Sequence, residues 1–175
     1  TAPVIEQSYQ RLLELLDTHF HSNGFLLGER PSSADFAIYG QFTQLTRVDP
    51  TPAALAAKLS PRTVAWVDCC EDLSGLEPKD TDWFDVNALP TSLKAILAEV
   101  GLVYVPAMLA NEAAVIAGQK EWQATIDGKP WTQKTFPYQA KCLRWLREQY
   151  AELNKSDKTS VDSILAGTGC ESLFD

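Results

Sequence analysis

The stretch from Gly24 to Leu45, GFLLGERPSSADFAIYGQFTQL, decides how the rest of the chain is read. Gly28 closes one segment and Pro31 blocks its continuation, while Ser32 and Asp35 stand in the S-x-x-D spacing of a capping box. Such a box satisfies two backbone N–H groups that the first turn of a helix leaves unpaired. Pro31, just before the cap, is placed to staple onto Phe36. Phe36, Ala37, Ile38, Tyr39, Phe42 and Leu45 then put apolar surface on most sides of the helix, so it is expected in the middle of a domain.

Upstream, Ile5, Tyr9, Leu12, Leu13, Leu16 and Phe20 recur at helical spacing with charged residues between them, which predicts an amphipathic helix from Val4 to Phe20 ended by Asn23-Gly24. Downstream, Thr51 and Pro52 read as the cap and first residue of a short helix from Ala53 to Leu59. Ser60-Pro61 repeats the signal for a helix with Trp66, Cys69, Cys70 and Leu73 on one face. From Ser74 to Pro90 four acids, two prolines and no helical period indicate a long acidic surface connection. A helix with Leu93, Ile96, Leu97 and Val100 follows, ended by Gly101, and an alanine-rich one runs from about Pro106 to Trp122. Residues 124–132 carry alternating strand-like residues around Asp127-Gly128, the pattern of a small hairpin. Tyr138 to Leu153 and Ser160 to Ala166 complete the predicted helices.

F-L-L-G-E-R-P-S-S-A-D-F over residues 25–36, followed by an apolar helix, resembles the C-terminal, all-helical domain of glutathione S-transferases, whose central helix opens on the same Ser/Thr-x-x-Asp box. Pro61-Arg62-Thr63-Val64-Ala65-Trp66-Val67 is similar to the P-x-v-x-x-W helix that comes next in that family. The resemblance covers residues 4–73. It implies an all-α bundle, with residues 1–73 as the transferase-like helical core; composition makes 74–90 an acidic connecting loop and 91–175 an extended second half, atypical of the family, expected as an additional helical portion packed on the same domain. The thioredoxin-like domain that the family places before the helical one is outside these residues, and a first residue of Thr1 suggests a processed or excised segment. The family's wall for the electrophilic substrate maps by position onto Tyr9, Leu13 and Leu16.

Composition bounds the remaining classes. With 175 residues, 45% of them hydrophobic, the chain can bury a good core. A net charge of −8 argues against a nucleic-acid binder and against anionic membranes, and the longest apolar run, Leu102 to Ala110, is short for a bilayer and contains Pro106. Cys69, Cys70, Cys142 and Cys170 show no C-x-x-C spacing, which favours reduced cytoplasmic thiols.

The chemistry-bearing residues read as structural. Ser32 and Asp35 lack the histidine and glycines of a hydrolase elbow and are assigned to capping. His19 and His21 point to different sides of a helix and do not share a metal. Asp68, Glu71 and Asp72 read as a solvated face, and Cys170 as a packing thiol. Val105-Pro106 has the look of a glutathione-holding V-P loop, but the helix after it is wrong for one. No catalytic residue, metal or resident cofactor is assigned. The resemblance implies a C-terminal substrate-side and dimerisation domain of a protein conjugating glutathione, as co-substrate, to a hydrophobic electrophile. Its partners are then the thioredoxin-like domain and a second copy, and the isolated chain is expected to be inactive. The alternative is a non-catalytic binding or scaffold module of the same build.

Overall fold

The computed structural model describes residues 2–175 and is helical apart from one hairpin. Among the described residues eight α-helical segments follow in order: α1 (Ala2–Phe20), α2 (Ser33–Thr43), α3 (Pro50–Leu59), α4 (Pro61–Cys70), α5 (Thr91–Glu99), α6 (Val105–Ile116), α7 (Pro137–Glu152) and α8 (Lys155–Leu165). The strands β1 (Glu121–Ile126) and β2 (Lys129–Lys134) form an antiparallel pair between α6 and α7. This is the all-α architecture expected of a transferase C-terminal domain, with the hairpin where Asp127-Gly128 placed it. Both turn residues have positive φ, 50° and 69°, as the tightest hairpin connection requires.

Two compact units emerge. One is Tyr9–Ile96; the other combines the described residues up to Ser8 with Leu97–Asp175. The acidic segment belongs to the first unit because its backbone returns to the Phe25–Glu29 turn. Glu29 N–H donates to Asp82 O at 2.8 Å and Phe84 N–H to Leu27 O at 2.9 Å.

The core of the Tyr9–Ile96 unit gathers Leu13 and Leu16 of α1, Phe25, Leu26, Phe42, Ala56, and Trp66, Val67 and Cys70 of α4. The stripe of α1 was legible in its sequence period; α2 differs from expectation. Its Asp35 and Phe42 are buried, but Phe36 is 53% exposed, so Phe36 is no buried staple for Pro31 and the helix presents one face to solvent. The cap of α3 also moves. Asp49 occupies the N-cap position and Pro50 the first turn, because a π turn over Gln44–Val48 carries the chain further before it restarts.

The second unit holds two clusters. Val4, Ala114, Trp122, Ile126 and Trp131 pack together, with the two indoles stacked at 6.5 Å. Val105, Met108, Leu143, Cys170 and Leu173 form the other. Gly101 does not end a helix as expected: α5, a π turn over Val100–Tyr104 and α6 form one helix from Thr91 to Ile116, 26 residues long. That helix is long and apolar enough to cross a membrane by length and composition, unlike the shorter run from Leu102 to Ala110 within it. It also carries core residues, Leu93 and Ile96 before the π turn and Val105 and Met108 after it, and the fully buried Asn111.

Candidate functional site

The site that the sequence pointed to is the turn preceding α2. Ser32 has extended backbone angles, and its Oγ lies 3.4 Å from Asp35 N–H while donating to Asp35 Oδ2. Asp35 Oδ2 also accepts from Ser32 N–H at 2.8 Å, which closes the capping box as the spacing predicted. Asp35 Oδ1 does a further job, accepting Leu26 N–H at 2.8 Å. One carboxylate therefore caps the helix and fixes the turn that leads into it, and it does so almost wholly buried. Gly28 completes the arrangement: its φ is 145°, and a Cβ there would stand 2.0 Å from Asp82 O. Only a residue without a side chain allows the segment 82–84 to pair along this turn.

His19 joins the same construction from α1. It is fully buried, with Nε2 3.1 Å from Phe25 O and Nδ1 2.9 Å from Ser92 Oγ. A carbonyl can only accept, so Nε2 carries the proton and Ser92 donates to Nδ1. Burial lowers the His19 pKa and so favours the neutral ring, an effect partly offset by its bond to Phe25 and by the charge of Asp35. The ring anchors the first turn of α5 to α1. Ser92 was not foreseen, since no local pattern links positions so far apart in sequence.

The remaining predicted residues fall as follows. Leu13 and Leu16 are completely buried in the core, whereas Tyr9 keeps some exposed surface, its hydroxyl donating to Pro52 O at 3.2 Å and its ring 6.2 Å from Phe42. Asp68 pairs with Arg47 and Glu71 accepts from the Tyr39 hydroxyl, so these acids serve an exposed polar face. Burial pushes the Cys70 thiol up to about 12 and raises that of Cys170, far from the range of a nucleophilic thiolate. Among the described residues no group of three or more His, Cys, Asp or Glu is placed to hold a metal ion.

The second unit contributes polar anchors of its own. Val105-Pro106 lies in α6, so it offers no extended backbone to a peptide ligand. Asn111 takes Phe136 N–H on Oδ1 at 2.7 Å and donates Nδ2–H to Phe136 O at 3.0 Å. A lone Asn in an alanine-rich helix was the one available signal for it. Arg147 grips both carboxylate oxygens of Glu112 at 2.8 Å and donates from Nε to Leu173 O. Next to this pair, Val115, Ile116, Pro137 and Ala140 floor an open groove of about 280 Å³ with Lys141 and Arg144 at its rim. A second open groove, of about 370 Å³, lies between Tyr150, Asp162 and Phe174.

Comparison with known proteins bears on the first part of the chain. Residues 3–69 match the family model of the glutathione S-transferase C-terminal domain. The match takes in α1 to α4, the Gly28 turn and the capping box together. No curated protein and no solved structure matches the chain.

Proposed function

We propose that this chain, through the transferase C-terminal domain matched over residues 3–69, is the substrate side of a glutathione transferase-like protein that conjugates glutathione to a hydrophobic electrophile. The observation that carries the reading is the double use of Asp35, which ties a family-type turn to a family-type helix within that match. In this reading glutathione is held, and its thiol activated, by a thioredoxin-like domain outside these residues. The chain lowers the barrier only by positioning the electrophile and keeping water from it. Tyr9 is assigned to the electrophile's wall, and Leu13 and Leu16 shape that wall from behind by fixing α1. A second copy packs on this helical domain, and the protein works in the cytoplasm.

The parent protein with its thioredoxin-like domain is to be assayed for conjugation of glutathione to 1-chloro-2,4-dinitrobenzene, beside this chain alone. Turnover by the parent, a several-fold higher KM for the electrophile in Tyr9→Ala, and neither turnover nor calorimetric glutathione binding by the chain alone are expected. A parent protein that binds no glutathione would overturn the reading in favour of a binding or scaffold module. Tight glutathione binding by the chain alone would move the site into the second unit.

A further inference from the structure

The solvent side of α7 carries a regular stripe. Tyr138, Lys141, Trp145, Glu148 and Glu152 recur at alternating intervals of three and four residues, the spacing that keeps side chains in one line along a helix. All of them are exposed, Tyr138 at 56% and Trp145 at 42%, and they stand across the helix from the buried Leu143. The two rings meet edge to face at 6.5 Å, and the Lys141 ammonium lies 4.4 Å over the Trp145 ring. Their aromatic surface is thus held in one arrangement before any partner arrives.

Most charges of the helix are already matched. Arg147 grips Glu112 and Arg144 reaches Glu148 at 3.5 Å, which leaves Lys141 and Glu152 as the α7 charges with no ion pair among the described residues. They lie on the same stripe, separated by about three turns. That separation selects the occupant. A two-fold axis across the helix, between Leu146 and Arg147, lays a second α7 antiparallel to the first. Lys141 of each copy then faces Glu152 of the other, and Trp145 of each faces Glu148. A parallel pairing would instead set each charge against its own equivalent. At a net charge of −8 two copies repel at long range, so a self-contact has to bring opposite charges of its own, and this stripe does.

We infer that two copies of this chain pair antiparallel along the α7 stripe. The contact is isologous and closes at two copies, with Trp145 of each near the axis and a Lys141–Glu152 pair at either end. One helix face on each side is a small interface, so the pair forms and parts with concentration. It stands apart from the conjugation reading, because α7 lies outside the matched residues 3–69.

Sedimentation equilibrium of the chain over a range of concentrations tests it, with Lys141→Glu, Glu152→Lys and the double variant Lys141→Glu/Glu152→Lys. Both positions are exposed, and circular dichroism spectra matching that of the unmodified chain will show that the variants fold. The unmodified chain is expected to pass from one copy to two, and no further, as concentration rises. Each single variant sets like charges together at both ends of the contact and is expected to weaken pairing at least tenfold. The double variant restores opposite charges at both ends, as does an equimolar mixture of the two single variants, and each is expected to recover most of that loss. A chain that stays monomeric, a pairing that either single variant leaves intact, or a double variant and a mixture as weak as the single variants would each overturn the proposal. None of these outcomes touches the assignment of residues 3–69.

Discussion

Replacing Asp35 by Ala is the sharpest test of how the first unit is held. The change strips the acceptor from Leu26 N–H and Ser32 N–H, both at 2.8 Å, and from the Ser32 hydroxyl. Loss of the cap itself costs about 1 kcal/mol. A buried backbone N–H left without a partner costs about 1–3 kcal/mol more, and at 1% exposure of Asp35 little water can substitute. The total is about 2–4 kcal/mol, against about 1 kcal/mol for Ser32→Ala, which leaves Asp35 on Leu26. Urea denaturation followed by circular dichroism of the wild type and both variants measures the difference. If Asp35→Ala costs no more than Ser32→Ala, the bond to Leu26 contributes nothing and Asp35 does not fix the turn.

The neutral His19 makes stability depend on pH. Its pKa is lowered in the fold, so the unfolded chain binds the proton first; stability is full above about 6.5 and falls as pH drops through that value toward the folded one. In His19→Gln the decline between pH 7.5 and 5.5 should be shallower, and an identical slope would mean that the carboxylates account for all of it. Gly28→Ala should unfold the first unit or cost more than about 3 kcal/mol, since a Cβ meets Asp82 O; Gly40→Ala, with nothing near and a helical backbone, should gain about 0.5–1 kcal/mol in the same melts. With the Cys70 thiol pushed up to about 12 and Cys69 exposed on the same helix, mass-mapped iodoacetamide labelling at pH 8 should reach Cys69 well before Cys70.

What the sequence disclosed was what is local. The S-x-x-D box, the Ser60-Pro61 start and the Asp127-Gly128 turn each state their own geometry within a few residues, and each is found in place. What it withheld was set by partners distant in the chain. Gly28 reads as a break, yet the reason for it is Asp82; His19 reads only as one of two histidines that share no metal, yet Ser92 and Phe25 take both its nitrogens. The α2 helix misled in the other direction, since apolar residues on most sides of it predict a place in the middle of a domain, yet Phe36 is 53% exposed.

The helix from Thr91 to Ile116 shows why two strong break signals can fail together. Gly101 and Pro106 sit where a helix would normally end, but Val105 N–H reaches back to Val100 O, and the widened π turn before Pro106 accommodates its ring without ending the helix. Gly101 is there for a different reason: a Cβ would lie 1.9 Å from Thr168 O, so the glycine admits the 168–169 backbone against the helix. Close approach, not a helix stop, is what selects it. Gly101→Ala should therefore destabilise the second unit by more than the helix propensity gained, about 1 kcal/mol, and loosen the Cys170 contact with Leu97 O at 3.2 Å. Faster alkylation of Cys170 in that variant is the expected sign, and a variant as stable and as slow to label as the wild type would return Gly101 to the role of a simple helix breaker.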